Sequence, residues 1–300
     1  NKQSALPKSI ESKREENIVM YSPADEIRKM KELNNSDDFI FEMLKEGLGL
    51  NLHSIRNYLD SEEKFTDVLE KLKEMGYTYV QYSGAPFDAP MIKRAIDKTD
   101  MKVVLTHVPM DRIINDTEAL MDEHASIGCK NIGLGAMPGD AITDPEKAIK
   151  TIAALNEAGE KMAKRGFKFF YHNHSIEFIR HGDKSVMEML MDAPYINFTL
   201  DTYWVQYAGA DIVDTIKKLK GRIDCIHLKD YKVEVQEDGW TVKPCYCPIG
   251  DGNIDFERVI KAARESGTEY FIVEQDNAAL LPDTLAEVER SAKYVTKNLI

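Results

Sequence analysis

The stretch Lys168-Phe169-Phe170-Tyr171-His172-Asn173-His174 decides the fold, because an apolar run of strand length ends in side chains that bind metals or carry protons. Three later runs end in the same way, at Leu200-Asp201, at His227-Leu228-Lys229 and at Val273-Glu274. A polar residue at the C-terminal tip of a buried strand is typical of the active-site face of a parallel barrel. Four successive tips that carry His, Asp, His and Glu therefore predict a divalent-metal site.

Around these tips, eight apolar runs alternate with amphipathic segments, and the unit recurs roughly every 30 residues, as a βα crossover requires. We predict strands at 48–53, 79–83, 102–107, 131–135, 168–174, 197–203, 224–229 and 270–275. Apolar residues at helical spacing predict helices in between, for example over 61–75 and 255–266. The alternation predicts an α/β fold, a closed (β/α)₈ TIM barrel. A doubly wound sheet is disfavoured, because no Gly-x-Gly-x-x-Gly follows the first strand.

The chain divides into three predicted regions. Residues 1–16 are polar and predict a mobile tail, residues 17–46 predict a short N-terminal helical extension packed on the barrel, and residues 47–300 form the catalytic barrel. Residues 231–252 make the longest connection, in which Glu237-Asp238-Gly239-Trp240 predicts a hairpin turn on the catalytic face. This connection is interpreted either as a lid over the site or as a hairpin without function.

Composition excludes several classes of partner. The chain has 300 residues, 43% of them apolar, and a formal net charge of −12. An acidic chain without a basic stripe predicts no nucleic-acid binding, and the lack of a run of ~20 apolar residues predicts no membrane span. The four cysteines have no zinc-site spacing and read as structural thiols in a reducing, cytoplasmic location. The chain begins at Asn1, so a removed targeting segment remains open.

Strand alternation sorts the polar tips into two sets, because residues two apart share a face. The deeper set, which we predict to hold one divalent cation, is His172, Asp201, His227 and Glu274. The set nearer the rim, suited to holding hydroxyl groups and moving protons, is His174, Tyr203, Lys229 and Asp276. Mixed nitrogen and oxygen ligands favour Mn²⁺, Co²⁺, Zn²⁺ or Fe²⁺ over Ca²⁺.

Other aromatic and histidine residues carry weaker signals. His53 and His107 end the first and third strands, where substrate contact and a structural role are equally good readings. Trp204 next to Tyr203 reads as packing or as an apolar wall of the substrate site. A lone strand-end histidine is more often a hydrogen-bonded structural residue, but buried Asp and Glu need partners, so the joint pattern favours a site.

Together these residues resemble the xylose isomerase-like TIM barrel superfamily, which includes sugar phosphate isomerases/epimerases, ketose 3-epimerases, inosose dehydratases and dehydroshikimate dehydratases. The resemblance covers about residues 46–300 and depends on Leu200-Asp201-Thr202, His227-Leu228-Lys229-Asp230, the glycine-rich stretch 248–255 and Val273-Glu274. It implies one divalent metal held by Glu, Asp, His and Glu of strands five to eight. Asp201, His227 and Glu274 match the last three ligands, and His172 stands where the first glutamate is expected.

The resemblance also implies proton-transfer roles. In the family's epimerases the two ligand glutamates act as the acid–base pair, so here Glu274, His174 and Lys229 are the implied catalytic residues. We favour His172 as first ligand, and a Glu177 that folds back is the alternative. Trp204 occupies the place of a substrate-binding histidine of ketose 3-epimerases, which argues against that activity. His174 matches a histidine that the dehydratases use.

The implied function is a divalent-metal-dependent sugar isomerase/epimerase that works through a metal-stabilised enediolate. The alternative is a metal-dependent carbon–oxygen lyase (dehydratase) on an inosose or keto-sugar, and the third reading is an inactive sugar-binding barrel. A small sugar or polyol, phosphorylated or not, is the expected substrate, with Tyr203, Trp204, Asp276, His53 and His107 as candidate contacts. The resemblance further implies a homodimer.

Overall fold

The computed structural model describes residues 47–300, so the predicted tail (1–16) and helical extension (17–46) lie outside the described residues. Eight strands form a closed barrel in which every neighbouring pair is parallel, and helices cover the outside. The predicted (β/α)₈ barrel is confirmed. Within residues 47–300, no helix combines the length and apolar character needed to cross a bilayer.

Twelve strands are present in the described residues. The eight barrel strands are β1 (Leu48–Asn51), β2 (Tyr79–Tyr82), β3 (Lys102–His107), β4 (Asn131–Leu134), β5 (Lys168–His172), β8 (Ile196–Asp201), β9 (Cys225–Leu228) and β12 (Tyr270–Val273). Two antiparallel pairs lie outside the barrel: β6 (Arg180–His181) with β7 (Lys184–Ser185), and β10 (Asp230–Val235) with β11 (Val242–Cys247). The second pair is the predicted hairpin.

The helices follow the strands around the ring. They are α1 (Glu62–Glu74), α2 (Ala89–Thr99), α3 (Met110–Asn115), α4 (Thr117–Ser126), α5 (Asp140–Thr143), α6 (Pro145–Lys164), α7 (Val186–Asp192), α8 (Thr202–Tyr207), α9 (Ile212–Lys218), α10 (Phe256–Glu265) and α11 (Thr284–Asn298). Short 3₁₀ helices span Leu52–Tyr58, Ile176–Phe178 and Ala278–Leu280. Four helices are each followed by a glycine with positive φ, the conformation typical of a helix end: Gly76, Gly128, Gly166 and Gly267.

Two cores hold the barrel together. The smaller core is a separate buried cluster on the barrel strands: Tyr79, Val104, Leu105, Phe170, Cys225, Tyr270 and Ile272. A larger core lies between the strands and the helices and includes Phe65, Leu69 and Ile260 of the predicted amphipathic helices. The filled interior closes the barrel from below, so polar side chains at the strand tips face the upper mouth alone.

Several strands are shorter than the sequence predicts, and the differences fall at the polar tips. β8 ends at Asp201, whose side-chain Oδ1 accepts a hydrogen bond from the Trp204 N–H at 3.1 Å and begins helix α8. Tyr203 therefore lies in a helix, and the prediction that it shares a strand face with Asp201 is wrong. Likewise β5 ends at His172, β9 at Leu228 and β12 at Val273, so His174, Lys229 and Glu274 belong to the loops that follow.

Asp230 anchors the glycine-rich turn that follows the hairpin. Its buried carboxylate accepts hydrogen bonds from the backbone N–H groups of Gly250 (3.0 Å), Gly252 (3.1 Å), Ile254 (3.3 Å) and Tyr231 (2.9 Å). A Cβ on Gly252 would lie 2.2 Å from Asp230 Oδ1, so only glycine allows this approach.

We expect Asp230→Ala to lower the free energy of unfolding by about 2–4 kcal/mol, because it leaves several N–H groups without an acceptor. Urea denaturation measures the change. Asp251→Ala, which removes an acid of the same turn that pairs with exposed Arg290, is the control and should cost no more than ~0.5 kcal/mol. Equal losses for the two variants would contradict the assigned role.

Candidate metal centre

Four strand tips bring their side chains together in the mouth of the barrel. The donor atoms of His172, Asp201, His227 and Glu274 all lie within 4.8 Å of one another, and all four residues are buried. His172 and Asp201 are the last residues of β5 and β8, His227 is the third residue of β9, and Glu274 directly follows β12. The structure thus brings together the four residues that the sequence predicts as ligands.

Each histidine uses one ring nitrogen to hold its orientation and turns the other toward the centre. His172 Nδ1 donates to the carbonyl oxygen of Gly135 at 3.0 Å, which leaves Nε2 facing Asp201 Oδ2 at 3.1 Å. His227 Nε2 contacts Gln81 Oε1 at 2.7 Å, and an amide oxygen only accepts, so this nitrogen carries the proton. Such outer contacts fix the tautomer of metal-binding imidazoles.

The two carboxylates are arranged in the same way. Asp201 Oδ1 accepts from the Trp204 N–H, and Glu274 Oε1 accepts from Asn51 Nδ2 at 2.6 Å. The second oxygens, Oδ2 of Asp201 and Oε2 of Glu274, face the centre of the cluster. Glu274 Oε2 and His227 Nδ1 lie 2.9 Å apart, yet both are buried without a hydrogen bond. These two buried ligand atoms face one another, and the Lys229 ammonium is the charged group beside the carboxylate oxygen, so the pair fits a cation between them.

Lys229 adds a buried ammonium group to the cluster. Its Nζ lies 2.9 Å from Asp201 Oδ2, 2.9 Å from Glu274 Oε2 and 3.2 Å from Asp276 Oδ2. With the imidazoles neutral, three carboxylates against one ammonium leave a surplus of two negative charges. One divalent cation would balance this surplus, so the charge of the donor set also fits a metal.

The pKa values follow from burial and from these charges. Burial alone would raise the pKa values of Asp201 and Glu274, but the ammonium of Lys229 and the nearby histidines outweigh it, and both pKa values lie well below the usual range. Burial would lower the pKa of His227, but the charges of Glu274 and Asp201 raise it to about 9. The carboxylates are therefore ionised, and without a cation His227 is protonated at neutral pH.

The residues predicted to lie near the rim are found at different distances from the four clustered ligand residues. The His174 ring lies 4.7 Å from the His172 ring and 5.3 Å from Trp204, and the His107 ring lies 5.3 Å from the His172 ring. Asp276 reaches the cluster through Lys229. His53 lies in the first 3₁₀ helix, where its N–H donates to Asn51 Oδ1, so its backbone supports the residue that holds Glu274.

Tyr203 is buried beneath Trp204 in an aromatic wall beside Lys229. The ammonium of Lys229 lies 5.5 Å from the Trp204 ring and 5.8 Å from the Tyr246 ring, within the range of cation–π attraction. Tyr203 contacts both rings, at 4.7 Å and 4.9 Å between centroids. Trp204 thus lies between Lys229 and Tyr203, and its contact with substrate stays a prediction.

Glu177, the alternative first ligand, is held away from the cluster. It is buried, its Oε1 accepts from the Tyr171 hydroxyl at 2.6 Å, and its Oε2 accepts from the His174 N–H at 2.7 Å. Both oxygens are engaged by other groups, and Glu177 is not among the four clustered ligand residues, so His172 as first ligand stays the prediction. Glu177 instead holds the backbone of His174 in place.

Gln81 and Asn51 are the site residues that sequence reasoning missed. Both are fully buried near the ends of barrel strands, Gln81 in β2 and Asn51 in β1. A polar residue near the end of an apolar run is the one sequence signal that could have found them. Gln81 bridges two histidines, because its Oε1 accepts from His227 and its Nε2 donates to His107 Nε2 at 3.0 Å. It therefore sets the tautomers of both rings.

We expect Gln81→Met to weaken divalent-metal binding by about 10–100-fold, because His227 loses the acceptor that holds a proton on Nε2 and turns Nδ1 toward the centre. Metal titration calorimetry measures the change. Gln206→Met removes an amide that contacts the Tyr231 hydroxyl instead and should leave the affinity unchanged. Wild-type affinity in Gln81→Met would show that this amide does not support the centre.

A closed parallel barrel with a polar cluster at the C-terminal strand ends defines a TIM-barrel protein with its site in the usual place. The model of the family described as xylose isomerase-like TIM barrel matches residues 69–297. The chain belongs to that family, as the sequence motifs predict.

Known relatives agree with this assignment. The inosose dehydratase of Clostridium perfringens is 24% identical over 273 residues, which cover 79% of this chain and 91% of the relative. Among solved structures, a sugar phosphate isomerase/epimerase from Parabacteroides distasonis superposes with a TM-score of 0.69 at 22% identity, covering 84% of this chain and 93% of that chain.

Two further structures share the fold. A probable 3-DHS dehydratase from Bacillus anthracis superposes with a TM-score of 0.62 at 16% identity, covering 84% of this chain and 99% of that chain. A xylose isomerase-like TIM barrel protein from Mycobacterium smegmatis, solved in complex with magnesium, gives a TM-score of 0.64 at 14% identity, covering 84% and 95%. At these identities the likeness concerns the fold.

Proposed function

We propose that this chain is a divalent-metal-dependent enzyme that removes a proton from the carbon next to the carbonyl group of a sugar or polyol ketone. The observation behind the proposal is the cluster of four buried donor atoms within 4.8 Å, with an ammonium group beside it. A divalent cation, when bound there, supplies a Lewis acid that polarises the carbonyl and so acidifies the neighbouring C–H bond.

His174 is the residue that we assign to proton transfer. Burial, aided by His172, lowers its pKa to about 3, so the imidazole is neutral at neutral pH. Its ring nitrogens have no hydrogen-bond partner among residues 47–300, so both are available to a substrate. The low pKa makes its protonated form a strong acid. The neutral ring has a free lone pair for a proton from carbon, but the low pKa makes it a weak base, so the C–H bond must itself be acidified. Once protonated, the ring passes the proton readily to a leaving hydroxyl group.

Lys229 is the residue that we assign to charge stabilisation. Burial would lower its pKa, but the charges of Asp201 and Glu274 raise it well above the usual value, so the ammonium keeps its proton. A fixed buried cation stabilises negative charge that develops on a substrate oxygen as the proton leaves carbon. The aromatic wall of Trp204 and Tyr246 keeps this group away from solvent.

Of the two reactions that share this first step, we propose dehydration as the main activity. Isomerisation or epimerisation needs groups that return the proton at a new position, and family epimerases use two ligand glutamates for this. Here His172 engages one nitrogen with Gly135 and turns the other to the centre, so it has no free site for proton transfer. The inosose dehydratase relative supports the same choice, and the isomerase/epimerase neighbour supports the second candidate.

Incubation with an inosose and with keto-sugars in D₂O, after loading with Mn²⁺, Co²⁺, Mg²⁺ or Zn²⁺, tests the proposal by mass spectrometry. We expect a product lighter by one water. Deuterium in a recovered substrate or its isomer, without loss of water, would favour the isomerase/epimerase candidate. If no metal produces either change, the proposal is contradicted and the sugar-binding barrel is favoured. His174→Asn should abolish whichever change the wild type shows.

We expect the metal affinity to rise with pH up to about 9, because the cation displaces the proton held by His227. The pKa of His227 is raised to about 9, so below that pH the metal-free protein binds a proton that the loaded protein must release. The affinity should rise about tenfold per pH unit and level off above about pH 9. Metal titrations at three pH values measure this slope. A metal affinity that stays constant between pH 6.5 and 8.5 would mean that binding releases ~0 protons, and it would contradict this prediction.

A further inference from the structure

A second cavity, which we call the side cleft, lies beside the candidate metal centre. Its volume is about 730 Å³, and loops after β2, β3 and β4 form it. His107 lies at its inner end, with its ring 5.3 Å from His172, and Gly135, which orients His172, lines the same cleft. This volume falls within the ~300–1,000 Å³ typical of pockets for drug-sized ligands.

The walls of the side cleft are more apolar than polar, and the aromatic ring among them is held in place. Phe87 stacks on His124 with 4.5 Å between ring centroids and 19° between planes, and it meets Tyr82 edge-on at 6.4 Å. His124 is itself fully buried, with hydrogen bonds at both ring nitrogens, to Thr106 and to the Leu120 carbonyl. The ring of Phe87 is therefore held in place before any ligand arrives, which lowers the entropic cost of binding.

The side cleft offers no free charge to a ligand. Of the residues that line it, only His107 and Arg112 have ionisable side chains. Arg112 pairs with Asp116 at 2.8 Å and with Glu123 at 2.8 Å, so its charge is already balanced. His107 Nε2 accepts a hydrogen bond from Gln81 Nε2 at 3.0 Å, so this ring offers no fixed charge. An anionic group would find no unpaired cation among the residues that line the cleft.

One polar group at the inner end can orient a ligand. Gln81 Nε2 donates to His107 Nε2, so the neutral ring carries its proton on Nδ1. That nitrogen has no hydrogen-bond partner among residues 47–300 and lies beside Gly135, where a Cβ would come within 3.2 Å of it. Apolar walls with a single convergent donor are typical of sites that bind small organic molecules.

We propose that the side cleft binds an uncharged, largely apolar substituent of the substrate, such as an aromatic ring linked to the sugar whose hydroxyl groups reach the metal centre. The inference rests on the proposed function in taking the substrate to be a sugar or polyol. It adds that the substrate is larger than one sugar ring and is not phosphorylated. The continuity of the cleft with His107 and Gly135 carries the argument.

The competing reading is an anionic substituent bound by Arg56. This residue donates through its Nη1 to the carbonyl oxygens of His53 (2.9 Å) and Asp276 (3.0 Å). It pairs with no carboxylate in residues 47–300, and a Cβ on Gly84, which lines the side cleft, would lie 3.1 Å from its Cβ. Its position under one edge of the cleft makes the sugar phosphate a necessary comparison.

The test compares three probes on the Mg²⁺-loaded protein: phenyl β-D-glucopyranoside, methyl β-D-glucopyranoside and glucose 6-phosphate. Dissociation constants come from saturation-transfer NMR titrations. Because the phenyl ring leaves water for apolar walls, we expect it to bind at least about 10-fold more tightly than the methyl glucoside. Glucose 6-phosphate should bind no more tightly than the methyl glucoside.

Ala136→Trp places a large ring in the mouth of the cleft and should remove the phenyl preference. Ala163→Trp, an equally exposed alanine near the end of α6, is the control and should retain it. The inference is overturned if the wild type does not prefer the phenyl glucoside, or if the preference persists in Ala136→Trp. Tighter binding of glucose 6-phosphate that is lost in Arg56→Met would overturn it in favour of the anionic reading.

The outcome is separable from that of the proposed function. Deuterium uptake or loss of water with a free inosose tests the chemistry at the metal centre, and Ala136→Trp should leave it intact. A phenyl preference without any turnover would support the side cleft and contradict the proposed enzyme. Turnover without a phenyl preference would do the reverse.

Discussion

Asp201→Asn is expected to weaken divalent-metal binding by more than about 100-fold, beyond the range seen for outer contacts, and to lower kcat/KM by at least about 1,000-fold. The substitution removes one of the two anionic donors from a buried cluster. It retains an oxygen that can accept from the Trp204 N–H at the start of α8, so the helix and the barrel should remain folded.

Metal titration and steady-state kinetics on the purified variant measure both losses. Asp224→Asn is the matched control, since Asp224 is also a buried aspartate but pairs with Lys168 at the opposite end of the barrel. The control should bind metal and turn over as the wild type does. Wild-type metal affinity in Asp201→Asn would remove this carboxylate from the proposed ligand set.

Lys229→Met is expected to move metal binding and activity in opposite directions. The ammonium contacts the same oxygens of Asp201 and Glu274 that face the centre, so it competes with a cation for their charge. Without it, metal affinity should rise about tenfold or more, because the carboxylates repel one another until a cation binds. The turnover number should fall by about 10²–10⁴, since negative charge on the substrate loses its buried partner.

The opposite signs separate this role from a structural one. A residue that only supported the fold would lower both quantities when replaced, and thermal unfolding with and without metal shows which case applies. Lys168→Met, which removes the partner of Asp224 far from the mouth, is the control and should change neither. A Lys229→Met variant with weaker metal binding and unchanged turnover would contradict the account.

The barrel and the four strand tips could be predicted because their signals are local. The apolar run Phe169-Phe170-Tyr171 before His172 and the glycines that follow several helices depend on neighbours in sequence, and the repeated βα unit leaves few topologies. The tips then converge because parallel strands end on one face. The ligand set of His172, Asp201, His227 and Glu274 follows from that geometry and from the chemistry of their side chains.

The outer contacts could not be predicted because they join residues far apart in sequence. Asn51 reaches Glu274 across 223 positions, and Gln81 reaches His227 across 146. The place of Tyr203 was predicted wrongly because Asp201 begins a helix with its own side chain, which ends the strand alternation one residue later. The side cleft is formed by three loops. The periodicity of the strands does not predict the shape of these loops.

Anomalous diffraction from crystals of the protein loaded with Mn²⁺ or Zn²⁺, recorded at the absorption edge of the metal, tests the central claim most directly. The account predicts one strong peak bonded to Nε2 of His172, Oδ2 of Asp201, Nδ1 of His227 and Oε2 of Glu274. A peak held by other residues, or none at saturating metal with Lys229 still between the carboxylates, would contradict it.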